Sequence, residues 1–297
     1  MSQGGVGNPD FFIVGAPRCG TTWLYRHLAM HPRVFMSAQK EPHHFNTDSG
    51  FRWVETLEAY ESLFRDAPST AQAIGEASVL YLHSAIAAAN ILRYQPRARF
   101  IAMVRNPLEM APSWHRQALF DQQEDEPDFA RAWALQAARA AGRHLPAHCR
   151  EPAILQYRSI CSLGGRLARL IETAGRERVH VIVHDDLRRS SEDIYRGVLD
   201  FLRVDAWLPP RFDVVNPARE RRSPLLKRVS DSTARIKQRL KINRSFGALG
   251  RIDRWNTRSR PARAIPRSMR AELIEAFAGD VRLLARTIER PLDNWLE

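Results

Sequence analysis

Short unbroken apolar runs alternate along the chain with longer stretches in which apolar positions recur every three or four residues. The runs predict strands at residues 10 to 15, 99 to 104 (Arg99-Phe100-Ile101-Ala102-Met103-Val104) and 178 to 183 (Arg178-Val179-His180-Val181-Ile182-Val183). The periodic stretches predict helices near residues 22 to 30, 55 to 65, 84 to 95, 108 to 120, 128 to 141, 162 to 174 and 191 to 203. Leu273, Ile274, Phe277, Val281 and Leu284 give the segment Met269 to Leu284 one apolar face, which predicts a packed C-terminal helix. Strands alternating with helices imply an α/β fold with a mainly parallel central sheet flanked by helices. No internal repeat interrupts this order.

At 297 residues the chain is long enough to bury a full core, as one large domain or one domain with an appendage. No stretch reaches the roughly 20 apolar residues of a membrane span, and the start, Met1-Ser2-Gln3-Gly4-Gly5, has neither the basic nor the apolar region of a secretory signal. Cys19, Cys149 and Cys161 are odd in number and lack metal-ligand spacing, which suits a reducing compartment and predicts a cytoplasmic location. The net charge of +12 and a pI near 10.4 point to an anionic partner without choosing among nucleotide, glycan, nucleic acid and membrane.

Chemistry enters at Gly15 to Thr22, G-A-P-R-C-G-T-T, placed between a predicted strand and a predicted helix. There, backbone N–H groups and the positive end of a helix can surround a phosphate, with the Thr21 and Thr22 hydroxyls as further donors. This spacing implies a P-loop-type three-layer fold. Thr21 stands where an ATP-binding loop has its lysine.

A second anion site is expected where strand 99 to 104 ends in Arg105-Asn106-Pro107. Nucleoside triphosphatases commonly end such a strand in a magnesium-serving aspartate. Arg105 instead aims a cationic fork at the crevice where open α/β sheets bind ligands, and Ser113 follows eight positions on. Two separated phosphate sites fit a nucleotide phosphorylated at both ends better than a triphosphate.

These residues carry a resemblance. Pro17-Arg18-Cys19-Gly20-Thr21-Thr22-Trp23-Leu24 resembles the 5′-phosphosulfate loop of sulfotransferases that use 3′-phosphoadenosine 5′-phosphosulfate, and Arg105 with Ser113 is similar to their 3′-phosphate motif. Lys40-Glu41-Pro42-His43-His44-Phe45 is similar to the segment with the catalytic glutamate in heparan-sulfate-type enzymes, and Gly75-Glu76-Ala77-Ser78 precedes a helix in bacterial members. His184-Asp185-Asp186-Leu187 and Leu292-Asp293-Asn294-Trp295 resemble later landmarks of the family.

The resemblance implies that Gly20, Thr21 and Thr22 bind the 5′-phosphate, that Arg18 neutralises the bridging oxygen, and that Arg105 and Ser113 bind the 3′-phosphate. Trp23 either stacks on adenine or is a core residue. Glu41 is the candidate general base, its alternative being a solvated glutamate paired with Lys40. His43 orients Glu41, contacts the acceptor or is itself the base, and Lys40 stabilises developing charge. Arg221 and Arg222, after Asn216-Pro217, fall where relatives fold a loop over the nucleotide. Met110 replaces a second basic residue of many bacterial relatives and Ala77 a lysine of several. The implied donor is 3′-phosphoadenosine 5′-phosphosulfate (PAPS), leaving adenosine 3′,5′-bisphosphate (PAP), with no metal required. The implied acceptor is a hydroxylated small molecule, lipid or glycan.

One sulfotransferase domain over residues 1 to 297 is therefore expected, with 217 to 270 as a basic lid or acceptor-side subregion. That subregion holds 17 Lys or Arg against three acidic residues. It lines an anionic acceptor channel, lies on an acidic membrane surface at the inner face, or forms a solvated lid, the usual state of a charge run. Nucleic acid is not expected, since no recognition motif accompanies the charge. A non-catalytic nucleotide-binding protein is the alternative. A small-molecule kinase is a further one, and it conflicts with Thr21 and Arg105.

Overall fold

The structure, a computed structural model, describes residues 7–212, 219–221, 257–259 and 266–297, with the backbone alone for the two middle segments. It divides into two units. The first comprises Met1–Ala111, Gln156–Val215 and Pro266–Glu297, the second Pro112–Leu155 and Asn216–Ile265.

The first unit is built on a five-stranded sheet of β1 (Phe11–Gly15), β2 (Val34–Met36), β3 (Ala73–Ala77), β4 (Arg99–Val104) and β5 (Val179–Val183), in the order β2-β3-β1-β4-β5. Every pairing is parallel, and helices flank the sheet, as expected for the P-loop-type fold. Central parallel strands are buried on both faces and therefore read as continuous apolar runs. Phe11, Phe12 and Ile13 in β1 and Phe100 to Val104 in β4 are fully buried. Each such large side chain is worth roughly 1.5–3 kcal/mol by burial.

Helix α1 (Thr21–Leu28) follows β1, and α2 (Leu57–Ser62), α3 (Ala87–Tyr94) and α4 (Pro107–Phe120) come next in the chain. The expected helix at 128 to 141 is instead two short ones, α5 (Phe129–Ala134) and α6 (Gln136–Ala140), in the second unit. Beyond them come α7 (Tyr157–Cys161), α8 (Gly164–Ala174), α9 (His184–Arg189), α10 (Ser191–Leu202) and the C-terminal α11 (Arg267–Thr287), which packs on α8. Gly164 makes that packing possible, because a Cβ there would lie 2.4 Å from the Asp280 carbonyl oxygen.

Two strands, β2 and β3, were not expected from the sequence pattern. Gly75-Glu76-Ala77 closes β3, so this segment ends a strand where the resemblance implied only that it precedes a helix. Gly75 is needed because the Phe11 ring lies over it, 2.3 Å from any Cβ built there. In the second unit, β6 (Arg219–Arg221) pairs antiparallel with β7 (Thr257–Ser259). The rest of the basic stretch from 217 to 265, Arg222 included, lies outside the described residues.

Candidate active site

Because all five strands run the same way, the segments that follow them line one edge of the sheet. In spatial order these are residues 37–45 after β2, Ser78 after β3, the loop 16–20 after β1, Arg105 after β4 and His184 after β5. Open α/β sheets bind ligands at this carboxyl edge.

The loop 16–20 is fixed from both sides. Ala16 N–H donates to the Met103 carbonyl at 2.7 Å, and Arg105 Nη1 donates to the Arg18 carbonyl at 3.0 Å. Gly20 caps α1 in the left-handed conformation (φ 97°), and Trp23 N–H returns to its carbonyl at 2.9 Å. The amides of Thr21 and Thr22 lie in the first turn, where a helix has no carbonyl of its own to offer. Thr21 is buried and Thr22 half-buried. Arg18 itself stands at φ 65°.

Two side chains, one from the loop and one from α1, face inward. Cys19 is fully buried, its Sγ 3.4 Å from the Pro17 carbonyl and 3.9 Å from Met110 Sδ, and burial pushes its thiol up to about 12. Only its backbone is available to a phosphate. Trp23 is 7% exposed and packs on His27 (ring centroids 4.4 Å) and Phe212 (5.6 Å), a core position that leaves little ring face for a base.

Arg105 lies one residue past β4. Its Nη2 and Nε donate to Glu109 Oε2 at 2.7 and 3.3 Å, so the fork is already shared between the loop and one carboxylate. His184, at the start of α9, faces the same loop, with Cδ2 3.7 Å from a Cβ built on Gly20. Burial, reinforced by Arg105, lowers His184 to about 4 and keeps it neutral. Neither Glu109 nor His184 belongs to the motifs read as site residues; the i, i+4 spacing from Arg105 is the local signal that points to Glu109, whereas His184 comes from the distant segment after β5. Ser113 lies in the second turn of α4 and is buried. Arg221 is in β6.

Glu41 forms an ion pair with Lys40, and its Oε2 lies 3.5 Å from His43 Nε2. Burial opposes its ionisation, but His43 and then Lys40 outweigh burial and bring the carboxyl down to about 2. Glu41 keeps a third of its side chain exposed, 36%, while His43 is buried. Both residues hold positive φ, 63° and 49°. Such conformations cost of order 1–3 kcal/mol each and persist only where the surroundings impose them.

The imposing surroundings include a second carboxylate, Glu76, at zero exposure. Tyr60 and Tyr81 hydroxyls donate to its Oε1 at 3.0 and 2.8 Å, and Ser78 donates to Oε2 at 2.7 Å. Burial, the largest influence, pushes Glu76 up to about 7 against these three bonds and Lys40. The two glutamates are therefore driven apart, one held ionised and one poised near neutrality.

The sulfotransferase domain family matches residues 8–205, well over half of the chain, and the chain belongs to that family. A crystal structure of a sulfotransferase from Alicyclobacillus acidocaldarius is similar over 98% of this chain and 100% of that one, with a TM-score of 0.71 and 25% identity. Among curated proteins, the bifunctional heparan sulfate N-deacetylase/N-sulfotransferase 1 of Caenorhabditis briggsae is 26% identical over 65% of this chain. The membrane-associated sulfotransferase kil1 of Dictyostelium discoideum is 30% identical over 35% of it. The chain spans 22% of the length of each of these two relatives. Among the described residues no helix is long and apolar enough to cross a membrane.

Proposed function

We propose that the chain, acting as one sulfotransferase domain over residues 1 to 297, moves a sulfuryl group from PAPS to a hydroxyl of a carbohydrate, lipid or small metabolite. The observation that carries this reading is the alignment, along one sheet edge of a sulfotransferase-family domain, of a phosphate loop, a strand-end arginine and an ion-paired glutamate. The heparan sulfate N-deacetylase/N-sulfotransferase relative supports a carbohydrate acceptor; an amine is the alternative acceptor group.

The residues fit the donor. Loop amides and the Thr21 and Thr22 hydroxyls receive the 5′-phosphate, and Arg105 receives the 3′-phosphate, with Ser113 retained beside it on sequence spacing alone. Glu41 takes the proton of the acceptor hydroxyl as that oxygen attacks sulfur, while the bond from sulfur to the bridging phosphate oxygen breaks in line. Arg18 receives the charge that develops on the bridging oxygen. Lys40 keeps Glu41 ionised, and His43 fixes the orientation of its carboxylate.

Titration calorimetry tests the reading, with PAP in one arm and magnesium ATP in the other. Tight PAP binding is expected. Tight ATP binding without PAP binding would overturn the proposal in favour of a kinase.

A further inference from the structure

Glu76 has no part in the transfer chemistry above, yet it sits at the centre of the network beneath the Glu41 segment. We propose that Glu76 is a positioning residue that acts through Ser78 and Tyr81 to hold the segment carrying Glu41 and His43; this rests on the reading of Glu41 as base.

A hydroxyl both donates and accepts, and its hydrogen turns toward whichever partner is available. An ionised carboxylate only accepts, so once it is ionised, above its midpoint of about 7, Glu76 forces Ser78 and Tyr81 to donate to it. Their lone pairs are thereby turned to the backbone. Ser78 Oγ accepts His43 N–H at 3.1 Å, and Tyr81 Oη accepts the N–H groups of His44 and Phe45 at 3.0 and 3.3 Å. Glu41 N–H completes the attachment by donating to the Ala77 carbonyl at 2.9 Å, at the end of the strand that carries Glu76. One buried carboxylate thus orients acceptors for three consecutive amides next to the two positive-φ residues. Tyr60, the third donor, belongs to α2 and ties that helix to the same group.

The test uses the full chain with histidine labelled at ¹³Cε1, the His43 resonance being assigned by His43→Gln. Ser78→Ala, Tyr81→Phe and Glu76→Gln are expected to shift or broaden that resonance while PAP affinity, read by calorimetry, stays at the parent value. Ser78→Thr, which keeps the hydroxyl, is expected to restore the parent resonance. If Glu76→Gln does not fold, the milder Ser78→Ala and Tyr81→Phe decide the matter. An unmoved His43 resonance in both of these overturns the proposal. So does loss of PAP binding together with cooperative melting, because Glu76 is then a core group and no more. Turnover of Glu41→Gln is measured separately, so an active Glu41→Gln removes the base assignment while the His43 resonance still decides the role of Glu76.

Discussion

Arg105 Nη1 donates to the backbone carbonyl of Arg18 across 3.0 Å, joining the end of β4 to the loop after β1. The other edge of the same guanidinium is held by Glu109. Arg105 therefore braces the loop, and under the proposed function Glu109 competes with the 3′-phosphate for the rest of its fork.

Two substitutions with opposite signs follow. Arg105→Lys keeps the charge and loses the fork, and charge-assisted hydrogen bonds contribute about 1.5–3 kcal/mol each. PAP affinity should fall by at least tenfold, and adenosine 5′-monophosphate affinity by much less. Equal losses for both ligands would mean that Arg105 only braces the loop. Glu109→Gln releases the fork and should strengthen PAP binding, as read by calorimetry at low salt.

Glu41 and Lys40 make a prediction about pH. A general base must be ionised, and Lys40 is one of the groups that hold Glu41 at about 2. The acid limb of the rate profile should therefore lie far below neutrality in the parent protein and move upward in Lys40→Met, toward the ordinary carboxylate value near 4.3. Glu41→Gln should bind PAP normally and transfer poorly. An acid limb that Lys40→Met leaves in place would remove Glu41 as the group that takes the proton.

What the sequence reveals of this fold follows its local physics. β1 and β4 are legible because strands buried on both faces are apolar throughout, and the phosphate loop because its glycines and threonines are contiguous. β3, Ala73–Ala77, is not legible. Its glycine is there for the ring of Phe11, and its glutamate is tolerated only because hydroxyls from Tyr60, Ser78 and Tyr81 converge on it. Ser78 and Tyr81 are near neighbours in sequence, but nothing in the pattern shows that the turn after the strand brings them back onto Glu76 or that Tyr60 of α2 joins them, so residue 76 looks like a polar interruption. The two late landmarks behave alike: Trp295 Nε1 donates to Asp185 Oδ2 at 2.8 Å and Arg290 Nη2 to Asp186 Oδ1 at 2.9 Å. Each was readable as a motif, and their pairing was not.

Glu76 also sets a pH dependence of stability. Its carboxyl is near 7 in the folded chain against about 4.3 when unfolded, so between those values the folded state binds more protons. Stability contributed by this group is full below pH 4 and declines as pH rises through 7, by an amount on the order of 3 kcal/mol. Glu76→Gln has no such titration. Denaturant midpoints at pH 5 and pH 8 should therefore show the parent losing ground to Glu76→Gln at the higher pH. A parallel offset at both pH values would show that Glu76 titrates normally.

Gly20→Ala tests the loop by shape alone. Gly20 sits at φ 97°, and an alanine Cβ there would come within 2.7 Å of Leu187 Cδ2 and 3.2 Å of Met103 Cε. Left-handed strain for a non-glycine residue is of order 1–3 kcal/mol, and the Leu187 side chain can turn aside, so the variant should fold with a lowered denaturant midpoint. The larger effect falls on the ligand, because relief of the strain requires Gly20 to rotate, and rotation carries the first-turn amides of Thr21 and Thr22 out of line. PAP affinity should fall more than stability does. A variant that loses stability yet binds PAP as tightly as the parent would show that the phosphate is seated elsewhere on the sheet edge.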